Sequence, residues 1–129
     1  MNQTARSDAV FHPFVGIAVL PFSEAVEVGD LLFLSGQIGT DANGKLVAGG
    51  IAAETRHALA NIRAVLARHG SSIDRVVKVT VMLADIGEWA AMNAEYVKFF
   101  QQHLPARSAF GTSGLAMAAR VEIECIALR

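Results

Sequence analysis

The chain has 129 residues, a formal net charge of −1 and 53% hydrophobic residues, with a mean hydropathy of +0.39. This length predicts one domain, over residues 1–129, that buries a single core without disulfide or metal support. The near-neutral charge argues against a nucleic-acid partner, and no uncharged run approaches the roughly 18–20 residues of a membrane span. The apolar excess must be covered, which predicts association with other copies of the chain.

Residues 1–12 are predicted to form a flexible N-terminal tail, because Met1–Asp8 is polar. The apolar stretch Val15–Leu20 is too short for a secretory signal. The single cysteine, Cys125, excludes an intrachain disulfide, and together these features predict a cytoplasmic protein. Cys125 lies within a strand-like segment and far from any histidine in sequence, which favours a buried core thiol over a nucleophile.

The first half of the chain predicts two strands, Phe22–Val28 and Leu31–Ser35, joined as an antiparallel hairpin. Lys45–Val47 follows a turn and is a candidate short edge strand. Ile51–His69 then repeats apolar residues at intervals of three and four, which predicts a helix with one buried face.

The second half begins with Val76–Leu83, whose β-branched residues are typical of a buried strand. Gly87–His103 has helical spacing, with aromatic residues on its predicted inner face, and Pro105 terminates it. The strands Ala106–Thr112 and Arg120–Leu128 complete the chain. The order β-β-(β)-α-β-α-β-β predicts an α+β fold, in which two helices cover one face of a mixed sheet and leave the other face open.

Arg107 opens the first of these two final strands, and the second strand places Glu122 and Glu124 on one face. A guanidinium can grip a carboxylate through two parallel hydrogen bonds, so one interpretation is a pocket for a small carboxylate compound. The other interpretation is an arginine–glutamate ion pair that only ties the strands together. For Glu122 taken by itself, an ordinary salt bridge is the favoured interpretation.

The sequence predicts neither a metal site nor a cofactor site. No spacing typical of metal ligands relates the four histidines, which we assign to surfaces: His12, His57, His69 and His103. The glycines form no phosphate-binding loop.

Four segments, in this order and at these separations, resemble the RidA/YjgF family, which is also labelled endoribonuclease L-PSP. They are Leu34–Ile38, Asn93–Phe100, Pro105–Ser108 and Val121–Ala127. The resemblance covers Pro21–Arg129. It implies a chorismate-mutase-like α+β fold and a homotrimer that binds ligands in clefts between its subunits.

The resemblance also implies an activity, the hydrolysis of reactive 2-imino acids to 2-oxo acids and ammonia without a cofactor. Arg107 would clamp the substrate carboxylate, and Glu124 would position or activate the attacking water. Such chemistry needs little beyond an oriented substrate and a water molecule. The substrate-binding positions that it further implies are Phe22, Ser35, Gly36, Asn93 and Ala109, the last through its backbone N–H.

Three positions depart from the pattern of the family. Phe22 stands where tyrosine is usual, Glu24 where glutamine is frequent, and Ala109 where cysteine is usual. These departures bear on substrate identity more than on the carboxylate clamp. Two other functions stay open: an endoribonuclease or translation inhibitor, which the near-neutral charge disfavours, and a non-catalytic binder of small metabolites.

Overall fold

The computed structural model describes residues 8–14 and 20–129. Most of the apolar stretch Val15–Leu20 and of the polar Met1–Asp8 therefore lies outside the described residues. The main elements, in chain order, are β1 (Val10–His12), β2 (Ala25–Val28), β3 (Leu31–Ile38), α1 (Gly50–Arg68), β4 (Val76–Leu83), α2 (Trp89–Phe99), β5 (Ala106–Gly111) and β6 (Val121–Leu128). Among the described helices, none is both long and apolar enough to cross a membrane.

The six strands form one mixed sheet in the order β1-β2-β3-β6-β4-β5. The neighbouring strands are antiparallel except for β4 and β5, which run parallel. The predicted hairpin is the β2–β3 connection, where Gly29 takes a left-handed φ of 57° that suits glycine in a tight turn. The sequence-based expectation of an α+β mixed sheet with two helices is confirmed.

One face of the sheet and both helices enclose a single hydrophobic core. Alternate strand residues such as Leu32, Val79 and Ile123 point into it and meet Leu59 of α1 and Met92 of α2. The alternation is the ordinary period of a strand, in which successive side chains point to opposite faces. The core therefore fixes which residues of β4, β5 and β6 face the helices.

The opposite face of the sheet is not covered by any described helix. It carries Phe33, Ile126, Glu122 and Glu124, and Phe33 keeps 38% of its surface exposed. An apolar strip between carboxylates on an open sheet face is typical of a surface that another protein covers. Its coverage by further copies of this chain remains a prediction.

The N-terminal expectation needs a correction. Val10–His12 belongs to the segment predicted as a tail, yet it forms β1 and pairs antiparallel with β2. The backbone N–H of Glu24 also donates to the carbonyl of His12 over 2.8 Å. Backbone pairing with β2 orders this strand, and a short segment with little periodicity gives no sequence signal for such pairing.

Several other elements are shorter than predicted, among them β2, which begins at Ala25 rather than at Phe22. The second helix was expected over Gly87–His103, but a 3₁₀ turn at Ile86–Glu88 precedes α2, which ends at Phe99. Lys45–Val47 contributes only an isolated bridge between Leu46 and Thr40, not a strand. Phe100, the residue after α2, is still buried in the core, so the apolar pattern continues beyond the end of the helix itself.

Candidate active site

Arg107 lies on β5, at the edge of the described sheet, and points to the helix-covered face. It pairs in register with Val79, which is fully buried in the core. Its Nη1 donates to Oδ1 of Asn93 over 2.7 Å. The guanidinium carbon lies 4.7 Å from the ring centre of Tyr96 and 5.7 Å from that of Trp89. Two aromatic faces and one amide therefore orient the cation.

No carboxylate of the described residues lies within 4.0 Å of the Arg107 guanidinium. The interpretation of Arg107 as one member of an ion pair between strands is therefore not what the described part of the chain shows. A guanidinium has five N–H donors, and Asn93 accepts from only one of its nitrogens. The remaining donors can bind an anion that comes from outside the chain.

A hollow of about 310 Å³ adjoins Arg107, and its walls are mostly apolar. Its lining residues are Asn93, Tyr96, Val97, Leu104, Pro105 and Arg107. Burial raises the pKa of the Tyr96 hydroxyl to about 12, so this ring stays neutral beneath the guanidinium. The hollow combines one oriented cation with apolar walls, as a small carboxylate compound with a short side chain would require.

The two rings beside Arg107 follow from the sequence of α2. Trp89, Asn93 and Tyr96 are separated by four and three residues, which brings them to one side of a helix. The aromatic residues of this helix, Trp89 among them, were predicted to lie on its inner face, but Trp89 is 44% exposed beside Arg107. The spacing of these three residues was therefore a usable signal for the surroundings of Arg107.

A second hollow, of about 350 Å³, lies at the open face of the sheet, and the residues that line it include Phe22, Gly36 and Glu122. A Cβ atom placed on Gly36 would lie 2.1 Å from Oε2 of Glu122, so only glycine lets this carboxylate approach the backbone of β3 in its present position. Burial, and then the charge of Glu124, raise the pKa of Glu122 above its usual range. This carboxyl group is thus poised to exchange a proton nearer to neutral pH than an exposed glutamate.

Glu124 lies in a different place. It lines a smaller hollow, of about 160 Å³, together with Lys78, Thr80 and Phe33. The sequence analysis favoured Glu124 for the pocket and gave Glu122 an ordinary salt bridge, but the structure places Glu122 with Phe22 and Gly36, and Glu124 apart from them. Among the described residues no cation lies within 4.0 Å of Glu122.

The other predicted positions divide between the two hollows. Asn93 contacts Arg107 directly, and Ala109, two residues along β5, points to the same face and packs against the core. Ser35 precedes Gly36, and its hydroxyl donates to the carbonyl of Ser23 over 2.6 Å, which fixes the backbone before the second hollow. Their contacts with a substrate remain predictions.

One chain does not bring the two hollows together. Arg107 shares the helix-covered face with Val79, whereas Glu122 is paired with Met82 on the open face. Strand β4 also separates β5 from β6. The predicted partnership of an arginine clamp with a glutamate is therefore incomplete within a single copy.

The thiol of Cys125 is excluded as a nucleophile at neutral pH. Cys125 is 4% exposed within the core, and burial, followed by the charge of Glu124, raises its pKa to about 12. The expectation of a buried core thiol is confirmed. A group of potential metal ligands does occur in the described residues, at His12, Glu27 and His69, away from both hollows.

Comparison with known proteins identifies the family. The model of the endoribonuclease L-PSP family matches residues 16–129. The chain belongs to the RidA/YjgF family. A goat (Capra hircus) protein named 2-iminobutanoate/2-iminopropanoate deaminase is 44% identical over 113 residues, which cover 87% of this chain and 82% of the goat protein.

Solved structures agree with the fold described above. The crystal structure of the yeast protein YEO7 has a TM-score of 0.84 and 39% identity, and the match covers 97% of this chain and 98% of the yeast chain. The structure of RidA from an Antarctic Psychrobacter bacterium has a TM-score of 0.82 and 33% identity, covering 99% and 100% of the two chains. The resemblance inferred from the four sequence segments is thus confirmed.

Proposed function

We propose that this protein hydrolyses small 2-imino acids to 2-oxo acids and ammonia. The observation that carries the proposal is the Arg107 guanidinium, oriented by Asn93, Tyr96 and Trp89 beside an apolar hollow and without a carboxylate partner among the described residues. The deaminase name of the goat relative, at 44% identity, supports the same chemistry. The substrate carboxylate would accept two parallel hydrogen bonds from the guanidinium.

The second element of the proposed site is a carboxylate that handles the water molecule. We assign this role to Glu122 rather than to Glu124, because Glu122 shares its hollow with Phe22 and the glycine at position 36. Ionised Glu122 would accept a proton as water attacks the C=N carbon and return that proton to the nitrogen, which gives a carbinolamine. It would then carry the hydroxyl proton of the carbinolamine to the nitrogen as the C=O bond forms and the C–N bond breaks. Imine and water thus give 2-oxo acid and ammonia, with every atom accounted for and no cofactor required.

The two elements meet only if different copies of the chain supply them. We propose a homotrimer in which Arg107 of one subunit faces Glu122 and Gly36 of its neighbour across a cleft. The exposed apolar strip around Phe33 on the open face supports such assembly, because a sheet face of this kind needs a cover. We further propose that this trimer is located in the cytoplasm.

Mixing of two inactive variants tests this arrangement. Arg107→Ala and Glu122→Gln are each expected to lose turnover of an imine generated by a coupled enzyme. After co-expression or unfolding and refolding at equal amounts, a random trimer has about one chance in four of an intact pair at each cleft, so about a quarter of wild-type activity should return. A site formed within one chain would give no recovery, and this result would contradict the composite site.

Controls separate assembly from chemistry. A mixture of either single variant with the double variant Arg107→Ala/Glu122→Gln should stay inactive. In such a mixture no cleft contains both the Arg107 guanidinium and the Glu122 carboxylate. Sedimentation of each variant should match that of the wild type. Imine turnover retained in full by Arg107→Ala would remove the proposed deaminase activity of this site.

The two alternative functions have their own outcomes. Saturable binding of a 2-oxo acid that depends on Arg107, with no imine turnover, would indicate a non-catalytic metabolite binder. Cleavage of RNA that survives rigorous purification and disappears in Arg107→Ala would indicate a nuclease. With a net charge of −1, the chain has no excess of positive charge to attract the phosphates of RNA.

A further inference from the structure

Two histidines and a glutamate from distant parts of the sequence meet at the edge of the sheet. His12 comes from β1, Glu27 from β2, and His69 from the residue that follows α1. One potential ligand atom from each lies within 4.8 Å of the other two. The sequence analysis assigned these histidines to surfaces, and tertiary packing instead places them together.

The contacts within the group are short and ordered. Nε2 of His12 lies 2.9 Å from Oε1 of Glu27. The imidazoles of His12 and His69 lie with their centres 4.3 Å apart and their planes tilted by 40°. The side chains of His69, Glu27 and His12 are 12%, 19% and 28% exposed. The group is therefore sheltered but still reachable from solvent.

Outer partners orient two of the three side chains. Glu24, which is buried, accepts a hydrogen bond from the His69 ring over 2.9 Å. The other oxygen of Glu27, Oε2, lies 3.2 Å from Nε of Arg129, which leaves Oε1 directed at His12. Carboxylates that hold ligand histidines, and cations that hold ligand carboxylates, are typical of the surroundings of protein metal sites.

The backbone supports the same geometry. The N–H of Glu24 donates to the carbonyl of His12, and His12 is paired with Ala25 in the β1–β2 ladder. Three structural elements thus converge without any long side chain having to reach across solvent. Such convergence lets a bound cation join β1 to the end of α1.

We propose that His12, Glu27 and His69 form a Zn²⁺ site. Two imidazoles and one carboxylate suit zinc, whereas magnesium and calcium prefer oxygen ligands alone. Three protein ligands leave the fourth position of a tetrahedral ion to water. The site is independent of the proposed deaminase activity, because none of the three residues lines the hollow of Arg107 or that of Glu122.

The test uses the full chain without a histidine tag, stripped of metal with a chelator and titrated with Zn²⁺ against a chromophoric competitor. One Zn²⁺ per chain is expected, and binding should raise the melting temperature because only the folded chain assembles the three ligands. His12→Ala and Glu27→Gln should each weaken the affinity about tenfold or more, since even outer partners of metal ligands contribute that much. Cobalt(II) in place of zinc should give a visible absorption band that His12→Ala abolishes.

His103→Ala and His57→Ala are the matched controls, because both histidines are exposed and lie outside the group. Both controls should keep wild-type affinity and stoichiometry. The absence of stoichiometric binding would overturn the proposal, and so would binding that His103→Ala or His57→Ala weakens as much as His12→Ala does. In either case the group consists only of the His12–Glu27 and His69–Glu24 hydrogen bonds.

Discussion

The hollow of Arg107 and the hollow of Glu122 differ in how much of their geometry one chain supplies. Arg107 is oriented by direct contacts to Asn93 and two aromatic rings, all within the same copy. Glu122 has no cation within 4.0 Å among the described residues and faces an open side of the sheet. In the proposed site, one chain would supply the carboxylate-binding element by itself, and a neighbouring copy would close the water-handling element.

This difference follows from the two faces of one sheet. The helices bury the face of Val79 and thereby give Arg107 a rigid wall, whereas the face of Glu122 and Phe33 has no such cover in the described part of the chain. If the two hollows form one site as proposed, this arrangement would support catalysis only after assembly. Variants on the two sides should therefore behave differently.

The largest effect on activity is expected from substitutions of Arg107. Arg107→Ala would remove the two charge-assisted hydrogen bonds proposed to bind the substrate carboxylate, each worth about 1.5–3 kcal/mol, so kcat/KM should fall about 10²- to 10⁴-fold. Arg107→Lys keeps the charge but loses the planar fork, and it should recover only part of this loss. Steady-state kinetics of imine loss measure both, and equal activity of Arg107→Lys and wild type would show that charge alone suffices.

A comparable loss is expected when the proposed water acceptor is removed. Glu122→Gln should lower kcat about 10²- to 10⁴-fold, the usual contribution of a general base. In the proposed mechanism the active form is the carboxylate, so activity should fall as the pH drops through a pKa that burial raises above the ordinary 4.5. The pH profile of kcat/KM checks this. Glu124→Gln should keep the acid limb but shift it to lower pH, because the charge of Glu124 contributes to the raised pKa of Glu122.

The substitution Glu122→Gln should lower activity, as described above, but it should not lower stability. Since folding raises the pKa of Glu122, its ionisation disfavours the folded state, and the contribution present at low pH is lost as the pH rises through the folded pKa. Glu122→Gln should therefore melt at the same temperature as the wild type or higher at neutral pH. A large decrease in melting temperature would instead indicate a structural ion pair.

Gly36, in β3, and Gly39, which follows this strand directly, allow a matched comparison of two Gly→Ala substitutions. A Cβ on Gly36 would meet the flexible carboxylate of Glu122, whereas a Cβ on Gly39 would lie 2.7 Å from the backbone Cα and O of Glu54. Gly36→Ala should thus keep the fold but displace Glu122, with an activity loss of about 10²-fold. Gly39→Ala should instead lower the free energy of unfolding by about 1–3 kcal/mol.

Thermal melts and imine turnover of both variants separate these outcomes. An active Gly36→Ala protein would show that the close approach of Glu122 to the backbone is not required for catalysis. Unchanged stability in Gly39→Ala would mean that α1 can shift away from the strand.

The smallest effect on activity is expected from substitutions of Tyr96, whose ring packs against the Arg107 guanidinium. Tyr96→Leu removes the ring that lies 4.7 Å from the Arg107 guanidinium, and a cation–π contact of about 0.5–2 kcal/mol should cost about two- to thirtyfold in KM. Tyr96→Phe keeps the ring and removes a buried hydroxyl that has no hydrogen-bond partner among residues 8–14 and 20–129, so activity and stability should be nearly unchanged. A loss in Tyr96→Phe as large as in Tyr96→Leu would assign a role to the hydroxyl instead.

The sequence by itself determined the local structure and the candidate chemistry. β-branched residues gave the bounds of Val76–Leu83 without error, and strand alternation correctly put Glu122 and Glu124 on the face opposite Cys125. The Arg107 segment and its family motif identified the clamp candidate. These features depend on residues near one another in the chain, so a local pattern records them.

Only the tertiary structure decided which glutamate faces a hollow beside Gly36. Strand period cannot distinguish Glu122 from Glu124, because both occupy the same face; the irregularity of β3 between Leu34 and Gln37 brings Gly36 against Glu122 alone. The meeting of His12 with His69 likewise depends on strand order and on where a helix ends. Such long-range packing has no local sequence signal, since it arises from how separate elements pack rather than from the period within one.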